Sequence, residues 1–167
     1  MKTFKNILSY VLIIGIAILI KLYVFSPIRV NGTSMVPTLY DGDIMILNEI
    51  GYHLNGLERF DIVVINSNKE KIIKRVIGLP GETVEYKDNK LYINDKEVVE
   101  NFNHEDTKDF KLSDIDVTEI PENYYFVVGD NRGNSKDSRS IGLISSKQIM
   151  GKTSFVLYPF NRIGKVQ

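Results

Sequence analysis

Apolar residues run almost unbroken from Ile7 to Phe25, with Lys21 the one charge among them. At about 1.5 Å per residue, a helix of that length spans most of a bilayer's roughly 30 Å hydrocarbon core. Tyr10 and Tyr23 bracket the segment as interfacial aromatics do, and Lys21 is close enough to its end to reach the headgroups. A cleavable leader needs a small-x-small site soon after the apolar run. Lys21-Leu22-Tyr23-Val24-Phe25 supplies none, so the pattern predicts an uncleaved transmembrane anchor over 7–25. Lys2 and Lys5 precede it, while Lys21 and Arg29 follow its centre, so charge alone only weakly favours an inside N-terminus.

Beyond residue 26 the period changes to short β-branched runs closed by turn formers. Strands are predicted at 43–47, 60–65, 72–77, 83–86, 91–93, 97–99, 124–128 and 153–158. Asp88-Asn89 and Asn94-Asp95 fall where hairpin turns are needed. No long amphipathic period competes, and the class is mainly β. The pattern fails over 101–121, which is acidic and loop-like and predicts a solvated excursion. Gly51 to Gly56 reads as a turn with His53 exposed.

One strand carries an unusual charge. In Ile72-Ile73-Lys74-Arg75-Val76-Ile77 the alternation puts Ile72, Lys74 and Val76 on one face and Ile73, Arg75 and Ile77 on the other. Lysine has an ordinary pKa of about 10.4 and is no base at neutral pH. Flanking aliphatic groups disfavour its charged form and can lower that value by several units. A serine hydroxyl, in turn, needs a base before it attacks. With no cysteine, and with His53 and His104 outside any motif, Ser34 and Lys74 are the most economical nucleophile and base for covalent hydrolysis.

Composition adds exclusions. Twenty-one basic residues balance 21 acidic ones, which argues against a nucleic-acid partner held by a basic surface. The acidic residues lack the spacing of a calcium loop, and one histidine in the acidic stretch is too few for zinc, so neither metal nor other cofactor is expected. Residues 26–167 have the length of one domain.

The densest polar stretch is Gly129-Asp130-Asn131-Arg132-Gly133-Asn134-Ser135-Lys136-Asp137-Ser138-Arg139, which leaves an apolar strand at a glycine. It predicts a buried polar network with Asp137 and Arg139 paired. Together with Ser34-Met35-x-Pro37-Thr38-Leu39, Gly42-Asp43-Ile44 and Lys74-Arg75-Val76-Ile77-Gly78-Leu79-Pro80-Gly81, it resembles bacterial type I signal peptidase of the compact Gram-positive form. The four boxes stand in order after one apolar segment, and the resemblance covers nearly the whole chain.

That resemblance implies a single transmembrane helix followed by an extracytoplasmic β-domain, with residues 1–6 in the cytoplasm and a variable insertion near 83–122. It implies membrane lipid and the signal peptides of exported preproteins as partners, cut after a small-x-small sequence. Ser34 becomes the nucleophile and Lys74 the general base. Ser135 orients the lysine amine, and Asp137, Arg139, Asp130 and Arg132 support the site. Val30, Gly32, Met35, Leu39, Ile72 and Ile73 line the small-residue pocket. One departure stands out: where some relatives carry a serine that donates to the oxyanion, this chain has Gly32. The hole is then left to backbone N–H groups, that of Ser34 above all, or to a donor such as Thr33. Two other readings fit parts of the pattern: a self-cleaving Ser–Lys repressor, which carries a DNA-binding N-terminal domain instead of apolar residues, and a catalytically dead anchored module, which has no need of Ser34 and Lys74.

Overall fold

The computed structural model describes residues 6–7, 9–15, 26–67 and 70–166. Residues 9–15 are helical. The greater part of the expected anchor, residues 8 and 16–25, lies outside the described residues. Among those described, no helix is long and apolar enough to cross a membrane.

The described chain is mainly β. In order it forms β1 (Ser26–Arg29), β2 (Ile44–Asn48), β3 (Ile62–Ser67), β4 (Glu70–Gly78), β5 (Val84–Lys87), β6 (Lys90–Ile93), β7 (Lys96–Val98), β8 (Phe110–Lys111), β9 (Tyr124–Val128), β10 (Ile144–Ser145), β11 (Ile149–Tyr158) and β12 (Gly164–Lys165). All pairings are antiparallel. The larger sheet runs β1-β2-β11-β3-β4-β9-β10, with β12 added to β11; the smaller runs β7-β6-β5-β8. The smaller sheet falls within the stretch expected to be an insertion. Its hairpins turn at Asp88-Asn89 and Asn94-Asp95, all four residues at positive φ, the backbone that two-residue loops between twisted strands require.

Two expectations need correction. The turn expected after β2 is a short helix, α1 (Glu49–Asn55), capped by Asn48, whose side chain accepts from the Gly51 N–H at 2.7 Å. His53 on it is exposed, as expected. The acidic stretch over 101–121 is not merely a solvated loop. Phe110, Leu112 and Ile120 are buried in it, because β5 and β6 leave an apolar face that needs a cover.

β4 is where the core converges. Ile72 and Val76 pack with Val63, Ile65 and Val127; Ile73 packs with Met35, Leu39 and Met45; Ile77 packs with Tyr86, Phe110 and Phe126. The strand is covered on both faces, so the two charges at its centre are almost entirely withdrawn from solvent. Lys74 is 3% exposed and Arg75 is wholly buried.

Candidate active site

Ser34 sits in a tight turn just after β1. The Val36 N–H donates to the Thr33 carbonyl and the Leu39 N–H to the Met35 carbonyl, while the Met35 and Leu39 side chains sink into the core and anchor the turn. Arg162 holds it from the other end of the chain: it pairs bidentately with buried Asp43 and donates to the Thr38 carbonyl at 3.1 Å. This gives the Gly42-Asp43-Ile44 box a structural meaning.

Lys74 approaches from β4, opposite Val63 in the ladder. Its Nζ lies 2.6 Å from Ser34 Oγ and 2.9 Å from the Ile73 carbonyl oxygen, within hydrogen-bonding distance of both. Burial pushes the ammonium down to about 8, against the pull of Asp137 and Asp130 in the other direction; Arg139 adds to the lowering. Buried, close to a hydroxyl and with a pKa near neutrality, this amine can take a proton.

The polar loop after β9 wraps around both groups. The Asn131 N–H donates to the Ser34 carbonyl at 3.1 Å, Asn131 Nδ2 to the Thr33 carbonyl at 3.2 Å, and Asn134 Nδ2 to Thr33 Oγ1 at 3.2 Å. Asp137 accepts from the Gly129 N–H at 2.9 Å and caps the short helix α2 (Ser138–Ile141). Arg139 grips the same carboxylate through Nε at 2.9 Å and a terminal nitrogen at 2.8 Å. Burial opposes the Asp137 charge, but Arg139, helped by the nearby Ser135 hydroxyl and the Gly129 N–H, holds the carboxyl below its usual range. Asp130 and Arg132 also lie in this network, each with a partner from outside the loop. Asp130 pairs with Arg75, and Arg132 pairs with Glu100 at 2.7 Å while donating to Thr107 and the Tyr86 hydroxyl.

Ser135 is the residue that the resemblance has orient the lysine amine. Its Oγ is buried beside Asp137 without a partner at full hydrogen-bonding geometry among the described residues, and Lys74 Nζ bonds to Ser34 and Ile73. The oxyanion question narrows too. The Gly32 N–H donates to Asp41 and Thr33 Oγ1 accepts from Asn134, whereas the Ser34 N–H meets no partner among the described residues.

A cleft of about 600 Å³ opens over Ser34 and Lys74, with Ile72, Ile141, Leu143 and Ile144 along it and Glu70 and Lys136 at its rim. Of the six residues expected around a small-residue pocket, Ile72 lines this cleft; Val30, Met35, Leu39 and Ile73 are buried together, and Gly32 is exposed. Gly129 is irreplaceable for a steric reason. A Cβ there would lie 2.3 Å from both the Ser34 carbonyl oxygen and Ser135 Oγ. Gly129→Ala is therefore expected to push the turn that carries Ser34 off the loop, cutting kcat at least about tenfold and lowering Tm by several degrees. Wild-type kinetics with an unchanged melting curve would show that the two segments can part freely.

The family model described as signal peptidase, peptidase S26, matches residues 3–158. The chain belongs to that family. The peptidase is 41% identical to signal peptidase I S of Bacillus subtilis, across 96% of this chain and 94% of that one. It is 40% identical to signal peptidase IB of Staphylococcus aureus, across 94% and 92%. The crystal structure of a signal peptidase I from Enterococcus faecalis is 40% identical and superposes with a TM-score of 0.53, covering 57% of this chain and 95% of that chain. The protein is accordingly a serine endopeptidase of the signal peptidase I type. Sequence reasoning gave no role in the site to Arg75, Glu100, Asn131 or Asn134. Arg75 was placed on its strand face, and Asn131 and Asn134 stood in the loop already singled out, while Glu100 left no trace.

Proposed function

We propose that the chain is a membrane-anchored endopeptidase that removes signal peptides from exported preproteins, cutting after a small-x-small sequence. Residues 1–6 lie in the cytoplasm, 7–25 cross the membrane, and 26–167 form the catalytic domain outside. Supporting the anchor, the described apolar residues of the first segment are exposed on every side, with Ile7, Tyr10, Val11, Leu12, Ile13 and Ile14 each more than half accessible. Apolar surface all round a helix calls for lipid.

In the proposed reaction neutral Lys74 takes the proton from Ser34 Oγ as that oxygen attacks the scissile carbonyl carbon. The resulting oxyanion rests on the Ser34 N–H. The C–N bond breaks, and the Lys74 ammonium returns the proton to the leaving amine. Water, deprotonated by the same lysine, then hydrolyses the ester and frees the signal peptide as an acid. The 2.6 Å contact between a buried amine and the Ser34 hydroxyl carries this reading. Ser34→Ala removes one oxygen and is expected to leave folding intact while cleavage of a labelled preprotein falls at least about 1,000-fold. The test incubates detergent-solubilised full chain with preprotein and locates the cut by mass. Processing by the variant at more than a trace of the wild-type rate sinks the assignment, and a cut that does not follow a small-x-small sequence sinks the specificity.

A further inference from the structure

We infer that Asn131 is a positioning residue of the oxyanion hole, aiming the Ser34 N–H at the carbonyl oxygen under attack. The inference rests on the proposed role of Ser34 as nucleophile.

The need for such a residue begins at Gly32, which has no side chain to donate and whose N–H is taken up by Asp41 at 2.7 Å. The Ser34 N–H is left to meet the developing charge. A donor of this kind is effective only if it is aimed before the charge appears. The residues that lead into Ser34 are poor guides for it. Asn31, Gly32 and Thr33 are all exposed, and Gly32 is at a φ of 86°. The amide plane must be held from elsewhere.

A trans peptide unit is a rigid plate, with the Thr33 carbonyl at one edge and the Ser34 N–H pointing the opposite way. Whatever grips the carbonyl therefore aims the N–H. Two donors grip it: the Val36 N–H at 3.1 Å, from within the turn, and Asn131 Nδ2 at 3.2 Å, from the loop after β9. Asn131 also holds the next plate, because its own N–H donates to the Ser34 carbonyl at 3.1 Å. One residue thus pins the peptide units on both sides of Ser34. Donors on the Thr33 carbonyl also polarise the amide and make its N–H a stronger donor.

The direction of the Asn131 side chain is set by its other end. Its Oδ1 accepts from the Asn134 N–H at 3.0 Å, so its NH2 group faces Thr33. Asn134 touches the turn differently. Its side chain donates to Thr33 Oγ1 at 3.2 Å, a contact with the side chain and not with the plate. The part of Asn134 that supports Asn131 is backbone, which substitution leaves in place. The two asparagines should therefore differ in kinetic effect.

The test uses the full chain in detergent, a preprotein-derived peptide, and the matching peptide aldehyde, whose carbon bonds to the Ser34 oxygen and whose own oxygen enters the same hole. Asn131→Ala is expected to lower kcat about 10- to 100-fold while KM changes less than about twofold; the Val36 N–H still grips the carbonyl, so the loss falls short of removing the donor outright. The aldehyde should bind more weakly by a similar factor. The midpoint of the pH–rate profile should stay near 8, because Lys74 is untouched. Asn131→Asp keeps the size and the acceptor for Asn134 but turns an oxygen toward the Thr33 carbonyl, and should be at least as slow. Asn134→Ala should cost less than about threefold. A loss in Asn131→Ala carried by KM, or a moved pH midpoint, overturns the inference, because the residue then acts on binding or on the lysine. An equal loss in Asn134→Ala also overturns it, since the loop would then count only as a whole. Asn131→Asp at the wild-type kcat, with Ser34→Ala inactive, overturns it and leaves the peptidase reading standing. If Ser34→Ala still cleaves, the underlying reading fails first.

Discussion

Lys74→Arg is expected to abolish cleavage, by at least about 1,000-fold in kcat/KM. The substitution keeps the positive charge and most of the length but cannot deprotonate under any condition the fold survives. The wild-type rate has a matching signature. The proposed reaction requires the neutral amine, so activity should rise with pH through about 8 and then level off, lying near one hundredth of the plateau at pH 6. The same depressed pKa affects stability. The unfolded lysine holds its proton to about 10.5, so between pH 8 and 10.5 the unfolded chain binds the extra proton and stability rises with pH. Below pH 8 the folded state bears the full cost of burying the charge, about 3 kcal/mol. Lys74→Met should therefore be inactive yet more stable than wild type in neutral solution, and the gain should fade as pH climbs past 10. A rate that still rises at pH 10, or an active arginine variant, would remove Lys74 from the role of base.

Breaking the Arg75–Asp130 pair is expected to produce the largest loss of stability. Both side chains are wholly buried, and Arg75 donates to the two carboxylate oxygens through Nε at 2.8 Å and a terminal nitrogen at 2.6 Å. Its guanidinium also lies 3.8 Å over the Phe102 ring. Asp130→Ala leaves a buried cation without its counter-charge and should cost about 3–5 kcal/mol, read as a shift in the urea midpoint with an unchanged slope. Replacing both partners together, Arg75→Met with Asp130→Leu, removes the charge as well as the pairing and should recover much of that loss. If the double variant is no better than the single one, the hydrogen bonds rather than the buried charge hold this region.

These two cases also mark what the amino-acid sequence could and could not disclose. Lys74 was legible because a strand's period of two is local: six residues suffice to show that it shares a face with Ile72 and Val76. Its closeness to Ser34 was legible only through the company of other motifs. The partner of Arg75 lies 55 residues away across β9, and no local pattern links them. Asp137 and Arg139, two residues apart, were read as a pair for the opposite reason. The smaller sheet was half seen. Its hairpins announce themselves through Asp88-Asn89 and Asn94-Asp95, but β8 is two residues long and lies in an acidic stretch whose buried Phe110, Leu112 and Ile120 follow no period. Glu100 was hidden at the edge of that stretch. It matters because Arg132, reaching out of the polar loop, needs a counter-charge. Helix α1 escaped notice because its first turn contains Gly51, a poor helix former, and its stability comes from the Asn48 cap.

The turn that presents Ser34 is closed by residues from the far end of the chain. Asn131 holds its carbonyl, and Arg162 clasps Asp43 and Thr38. During synthesis the hydroxyl emerges early, more than a hundred residues before that last clasp. A partly made chain thus carries Ser34 with no lysine strand behind it and no clamp around it. The Ser34–Lys74 contact is thus a product of the whole fold rather than of the two short segments that carry it: the strand behind the serine and both clasps around it are made after it.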